Sequence, residues 1–283
     1  SLISASFAAS ASNSTSSNVE WAGFRYSMYG AKKNFGKIPS ADSVNGYVNK
    51  IKNHFDENTK GALLLTISSE NNGKCVFDFP QPSTVTNSTN IKYSKKDQFE
   101  KLLSKCDEEG INVWLVVEPG NNDLVDLANI VLDKYGNHES VQGFGASLEW
   151  YYRNSKGDGK RLTNSEAERV VNEIRKRNEN YTFLAKHWNT KYLPENYTDG
   201  MVFALNPNNF EDFSHISAEF KHFAKSFSKS PVIFEIGYGS DRHIWKDDPI
   251  SFAKSITSSA SRYNEHIGII WTDFTMREAL EKM

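Results

Sequence analysis

Eight short apolar runs, each of strand length and separated by stretches of helical periodicity, constrain this chain more than any other feature. They occupy residues 23–29, 62–67, 112–118, 141–149, 182–187, 201–205, 232–236 and 267–273. Helix signals fill the gaps. Ser94 precedes a pattern that stops at Gly110, Asp123 opens one that stops at Gly136, and Thr163 with Glu166 three residues on makes a capping box. Further helical patterns cover 42–55, 211–227, 249–263 and 276–283, whereas the fifth connection has only 188–196 to work with. Strand followed by helix, eight times, predicts an α/β fold of the (β/α)8 TIM-barrel class, and 283 residues suit one such domain. The alternative is an open, doubly wound sheet. It is demoted because no G-x-G-x-x-G follows the first run and no G-x-x-x-x-G-K-[ST] occurs anywhere.

Residues 1–18 are rich in Ser, Ala and Asn and carry no charge, which predicts a disordered leader ahead of a barrel domain spanning 19–283. The small residues of the 7–12 stretch suit a secretory cleavage site, so a secreted, extracellular protein is expected. Sequons at Asn13, Asn87, Asn180 and Asn196 would make it a glycoprotein, but a chain this rich in Asn, Ser and Thr acquires about that many by chance. Cys75 and Cys106 leave a disulfide and two free thiols equally open. A formal net charge of −2 offers no basic surface to nucleic acid. No apolar run approaches the roughly 20 residues of a bilayer span. Without C-x-x-C or H-x-x-x-H spacing, neither a metal nor any other cofactor is expected. The expected state is a monomer.

Alternation along the strands says which side chains face the barrel interior. If Glu149 points inward, so do Ser147, Gly145 and Gly143, while Phe144, Ala146 and Leu148 face the helices. The same parity places Ile233, Glu235 and Gly237 inside on the seventh strand, and Arg25, Ser27 and Tyr29 inside on the first. Barrel chemistry collects at the carboxyl ends of the strands. That end should gather Glu118, Glu149, Lys186, His187, Asn206, Glu235, Trp271 and Asp273, joined by Arg25 and Tyr29. Several carboxylates with aromatic rings around one mouth suit glycosidic bond hydrolysis, which needs a protonated acid, a second carboxylate and stacking platforms. The expected catalytic pair is Glu149 and Glu235. The expected substrate contacts are Arg25, Tyr29, Glu118, His187, Asn206, Trp271 and Asp273. Each has a plainer reading: Glu235 as a structural partner of Arg25 or Lys186, Trp271 as core, Asp273 as the cap of the last helix.

Two resemblances follow from these residues. Glu149 ending strand four, with Glu235 on strand seven, is similar to the retaining glycosidase clan of barrels, although Leu148 stands where that clan usually has Asn. The stretch Gln142-Gly143-Phe144-Gly145-Ala146-Ser147-Leu148-Glu149 resembles the D-G-x-D-x-D-x-E strand of family-18 chitinase-like barrels, and Trp271 resembles that family's floor tryptophan. Gln142, Gly145 and Ser147 replace its three aspartates, one of which would support the substrate's acetamido group. These resemblances imply a secreted glycoside hydrolase acting on a polysaccharide or oligosaccharide. The alternative they imply is a carbohydrate-binding barrel that has lost its chemistry. A phosphate-handling barrel, suggested by the 237–240 turn, is a third class.

Overall fold

The computed structural model describes residues 19–153 and 157–283, so the leader expected over 1–18 lies outside the described residues. Among the described residues eleven strands form: β1 (Val19–Tyr26), β2 (Lys60–Thr66), β3 (Ser68–Asn71), β4 (Lys74–Phe77), β5 (Ile91–Tyr93), β6 (Asn112–Val117), β7 (Val141–Ser147), β8 (Thr182–His187), β9 (Met201–Leu205), β10 (Val232–Ile236) and β11 (Ile267–Trp271). Eight of them close in the order β1-β11-β10-β9-β8-β7-β6-β2, every neighbouring pair parallel. The helices are α1 (Met28–Phe35), α2 (Ala41–Lys52), α3 (Glu100–Glu109), α4 (Leu124–Tyr135), α5 (Asn164–Arg175), α6 (Phe213–Ser226), α7 (Arg242–Trp245), α8 (Pro249–Ala260) and α9 (Met276–Glu281). This is the (β/α)8 barrel. The short fifth connection holds only a 3-10 turn, Thr190–Tyr192. None of the described helices is long and apolar enough to cross a membrane.

Capping signals set several of the boundaries. Asp123 accepts from the amides of Val125 and Asp126 to open α4, and Thr163 accepts from Glu166 N to open α5. Ser27 does the same for α1 by accepting from Gly30 N, which ends the first strand at Tyr26 rather than at 29. The expected strand position of Tyr29 is therefore corrected: it stands on α1 and is 68% exposed.

Strand parity divides the apolar residues into two sets. Trp21, Ala62, Leu64, Trp114, Val116, Leu184, Val202, Ala204, Ile233 and Ile270 fill the barrel, while Phe24, Tyr26, Phe144, Ala146 and Phe234 pack outward against the helices. Two tryptophans in a narrow barrel demand small residues opposite. Trp21 and Trp114 meet edge to face at 5.2 Å, and Gly143 sits beside Trp114 in the β6–β7 register. Above this apolar floor the interior turns polar, with Arg25, Lys186 and Glu235 near the carboxyl ends of their strands.

A second sheet, β3-β4-β5, which none of the eight apolar runs marks, is inserted between β2 and α3. Its β3–β4 hairpin turns on Asn72 (φ 50°) and Gly73 (φ 82°), and Cys75 is a residue of β4. Cys75 and Cys106 are both buried free thiols. Burial pushes each up to about 12.

Gly23 faces the barrel interior, where a Cβ would overlap the Ala62 carbonyl oxygen, whereas a Cβ on Gly46 of α2 meets nothing. G23A should cost about 3 kcal/mol through forced backbone movement. G46A should add about 1 kcal/mol through helix propensity. Urea denaturation of the two variants beside the parent checks both signs.

Candidate active site

A pocket of about 540 Å³ opens at the carboxyl ends of the strands. Its carboxyls are Glu118 and Glu149, its rings Trp150, Trp188, Tyr238 and Phe274, and Arg25, Asn206 and Asn208 add further polar groups. Pockets of similar size lie elsewhere, away from the carboxyl ends of most of the strands, and none of them gathers two carboxyls with several aromatic rings.

Glu118 is the first residue beyond β6, and the inserted sheet holds it. Its amide donates to Ser68 Oγ at 2.9 Å, and its Oε1 accepts from Glu70 N at 3.0 Å. Glu70 is fixed in turn by the Gly73 amide, which donates to its Oε1 at 2.5 Å. The next segment is tied to the strand-four loop. Gly120 N donates to Trp150 O at 3.0 Å and Tyr152 N donates to Gly120 O at 3.1 Å. Glu149 is not on the strand itself. β7 ends at Ser147, and Glu149 occupies the 3-10 turn Leu148–Trp150, which carries it and Trp150 to the pocket beside Glu118.

Burial pushes the Glu118 carboxyl up to about 7, against the Glu70 amide bond that favours its charged form, and the charge of Glu149 pushes the same way. Glu118 is thus poised to hold a proton near neutrality while Glu149 shares its pocket.

Glu235 lies beneath the pocket and is fully buried. Lys186 Nζ pairs with its Oε2, and Arg25 Nε stands 3.2 Å from Oε1 in a coulombic contact not aligned as a hydrogen bond. The Tyr238 hydroxyl donates to Oε1 at 2.9 Å. Burial opposes ionisation here, but Lys186 and Arg25 outweigh it and hold Glu235 below the ordinary carboxylate range. Asp273 completes the cluster. It accepts from Arg25 Nη2 at 2.6 Å, from Ser27 N at 2.8 Å and from Ser27 Oγ at 2.7 Å.

Of the residues the sequence pointed to, the pocket brings together Arg25, Glu118, Glu149 and Asn206. Glu235 and Asp273 stand behind them as buried partners of Arg25, and Asp273 anchors Ser27 rather than capping α9. Three expected contacts lie elsewhere. Trp271 is fully buried on the helical side, edge-on to Trp245 at 5.2 Å, because its neighbour Ile270 takes the interior position. His187 is also turned out of the barrel, since Lys186 points in. Its Nε2 bonds Asp158 O, its Nδ1 accepts from Asn189 N, and burial depresses its basicity. Tyr29 does not line the pocket. Sequence reasoning passed over Trp150, Trp188, Tyr238 and Phe274 as site residues. Their shared signal is an aromatic placed within three residues of a barrel strand's carboxyl end. Among the described residues no group of three or more His, Cys, Asp or Glu is arranged to hold a metal.

No protein family and no curated protein matches this chain. Solved structures with a related outline include a β-glucuronidase of an uncultured Clostridium species (12% identity, TM-score 0.47, covering 94% of this chain and 51% of that one). A β-D-glucuronidase of Dictyoglomus thermophilum gives 14% identity and a TM-score of 0.49, covering 87% and 43%. The 7,8-dihydropteroate synthase of Vibrio fischeri gives 8% and 0.43, covering 93% and 90%. The chain spans about half the length of the two glucuronidases. Enzymes of such different names share only the barrel outline with it, and their activities do not transfer. The fold assignment rests on the strand order.

Glu118 takes up its proton in the folded state at higher pH than in the unfolded chain, where 4.5 is the ordinary value. Between about pH 4.5 and 7 the folded protein therefore binds the extra proton, and stability falls as pH rises through that window. E118Q should remove this fall, so the variant gains on the parent toward pH 8. Urea denaturation at pH 4.5, 6 and 8 checks it; parallel pH profiles for the two proteins would contradict it.

Proposed function

We propose that the chain is a glycoside hydrolase acting on an oligosaccharide or polysaccharide, with Glu118 as the proton donor and Glu149 as the carboxylate facing the sugar ring. The observation that carries this reading is the placement of two carboxyls in one pocket walled by Trp150, Trp188 and Phe274 at the catalytic end of a barrel. The aromatic rings stack on sugar faces. Glu118 gives its proton to the glycosidic oxygen as the bond to the leaving group breaks, and Glu149 stabilises the positive charge developing at the anomeric carbon, either directly or through a water it activates. Two carboxyls with different environments divide the acid and base roles between them. Glu235 serves as the buried counter-charge that holds Arg25, Lys186 and Tyr238 in place.

A second reading is a barrel that binds carbohydrate without cleaving it. It is favoured by the complete cover over Glu235, the residue that occupies the strand-seven position, and by Ser147 on strand four.

Reducing-sugar release from cello-, laminari-, manno-, xylo- and chito-oligosaccharides decides between them. The parent should hydrolyse at least one, and E118Q and E149Q should each fall by about 10²–10⁴-fold while retaining binding. Retention of a glycan with no turnover by the parent, and with affinity unchanged in E149Q, would replace hydrolysis with the binding reading.

A further inference from the structure

The strand order sets two exposed rings on opposite sides of the barrel mouth. Phe274 follows β11 and is 42% exposed, and Trp188 follows β8 and is 39% exposed. In the closed order β11 neighbours β1 and β8 neighbours β7, and two strands separate these pairs either way round, β10 and β9 on one side, β2 and β6 on the other. The pairs therefore stand diametrically opposite. Both rings line the pocket that holds Glu118 and Glu149, so a molecule that touches both rings passes those carboxyls.

A single exposed ring is ordinary on a protein surface. These two are braced by groups that are themselves fixed. Trp188 lies against His187 at 5.2 Å, and His187 is stacked on Tyr192 at 4.3 Å while its ring nitrogens bond Asp158 O and Asn189 N. The Arg25 guanidinium sits 4.3 Å from the centroid of the Phe274 ring and is paired with Asp273 and Glu235. Rings fixed in advance lose little side-chain freedom when a ligand covers them. On the Phe274 side the aromatic surface continues outside the pocket. Tyr29 of α1 is exposed, and Lys33 Nζ is 5.8 Å from the Phe274 centroid and 5.9 Å from that of Tyr29.

Resting on the carbohydrate reading above, we infer that one glycan chain lies across the mouth, stacked on Trp188 at one side and on Phe274 and then Tyr29 at the other, with Glu118 and Glu149 along its path. The site then takes internal stretches of a chain, and cleavage is mid-chain. A site built for chain ends needs one side closed, whereas here exposed rings stand on both. Hydrolysis breaks one anomeric carbon–oxygen bond inside the chain. The outgoing segment takes the Glu118 proton, and water gives hydroxide to the anomeric carbon and a proton back to the carboxyl pair.

The test uses the di- to hexasaccharide ladders of β-1,4- and β-1,3-linked glucose, mannose, xylose and N-acetylglucosamine. They are titrated calorimetrically into the E149Q chain, so that the ligand persists, and reducing-end-labelled hexasaccharides are given to the parent. In at least one ladder, affinity should rise from disaccharide to hexasaccharide. W188A and F274A should each weaken hexasaccharide binding by about five- to tenfold, the worth of the apolar area one stacked ring buries, and Y29A by about two- to fivefold. F274L supplies the check if F274A does not fold: it keeps an apolar side chain beside Arg25 but has no ring to stack on, and it should also weaken binding. The parent should cut the labelled hexasaccharide internally from the first time point. A hexasaccharide bound no tighter than its disaccharide, an affinity unchanged in W188A or in the Phe274 variants, or release of single terminal sugars alone overturns this inference and leaves the carbohydrate reading standing. Binding of no ladder overturns both.

Discussion

The carboxyl end of the barrel depends on a largely buried cluster of two cations and two carboxylates: Arg25, Lys186, Glu235 and Asp273. Each ion alone would lose several kcal/mol of hydration on entering the interior. Together they balance, and each pairs with a charge from another strand: Arg25 from β1, Lys186 from β8, Glu235 from β10, and Asp273 just beyond β11. Removing one partner would leave an uncompensated charge, a loss of about 3–5 kcal/mol in buried pairs. The cluster also closes the seam between the first and last barrel strands. Asp273 bonds the Ser27 amide and hydroxyl, its carbonyl accepts from Asn34 Nδ2 at 2.5 Å, and a Cβ at Gly30 would overlap its carboxylate. Chain closure and site assembly are thus one set of contacts.

Alternation was legible wherever a strand was long enough to show it. Arg25, Ser147 and Glu235 face inward, and Phe144 and Ala146 outward, as period two requires. Legibility stopped at strand ends, where a single cap resets direction. Ser27 starts a helix and takes Tyr29 away from the interior. Trp271 and His187 follow the same parity rule, had it been applied to their own strands: with Ile270 and Lys186 inside, both must face out. The proposed pairing of Glu235 with Arg25 or Lys186 was readable from charge alone, and it forms with both. The inserted sheet was hidden because β3, β4 and β5 have 4, 4 and 3 residues, too few to display a period. Its only local signal was the Asn72-Gly73 pair.

That small sheet explains why Glu118 differs from the other carboxyls of the barrel. β3 runs on from β2 over the mouth and supplies Ser68 and the Glu70 amide to one glutamate. Phe77, Phe79 and Tyr93 pack on one another beneath it at 4.7 to 6.0 Å between centroids, and Phe79 meets Tyr135 of α4 at 5.4 Å. An insertion anchored by rings in this way fixes Ser68 and the Glu70 amide against Glu118.

Two glutamates a short way apart in one barrel are therefore driven in opposite directions by their surroundings. Glu235 is buried with two cations, and the coulombic gain exceeds the loss of hydration, so it stays ionised. Glu118 is only partly buried, with one amide donor and the neighbouring Glu149 carboxylate, and the loss of hydration prevails over the attraction of Arg25 and Lys186, so it is pushed up to about 7. Both lose hydration; what differs is that Lys186 and Arg25 pair directly with Glu235 and act on Glu118 only from a distance. With the cations below the pocket and the inserted sheet beside Glu118, one barrel end holds a carboxyl that takes a proton near neutrality and another that stays ionised there.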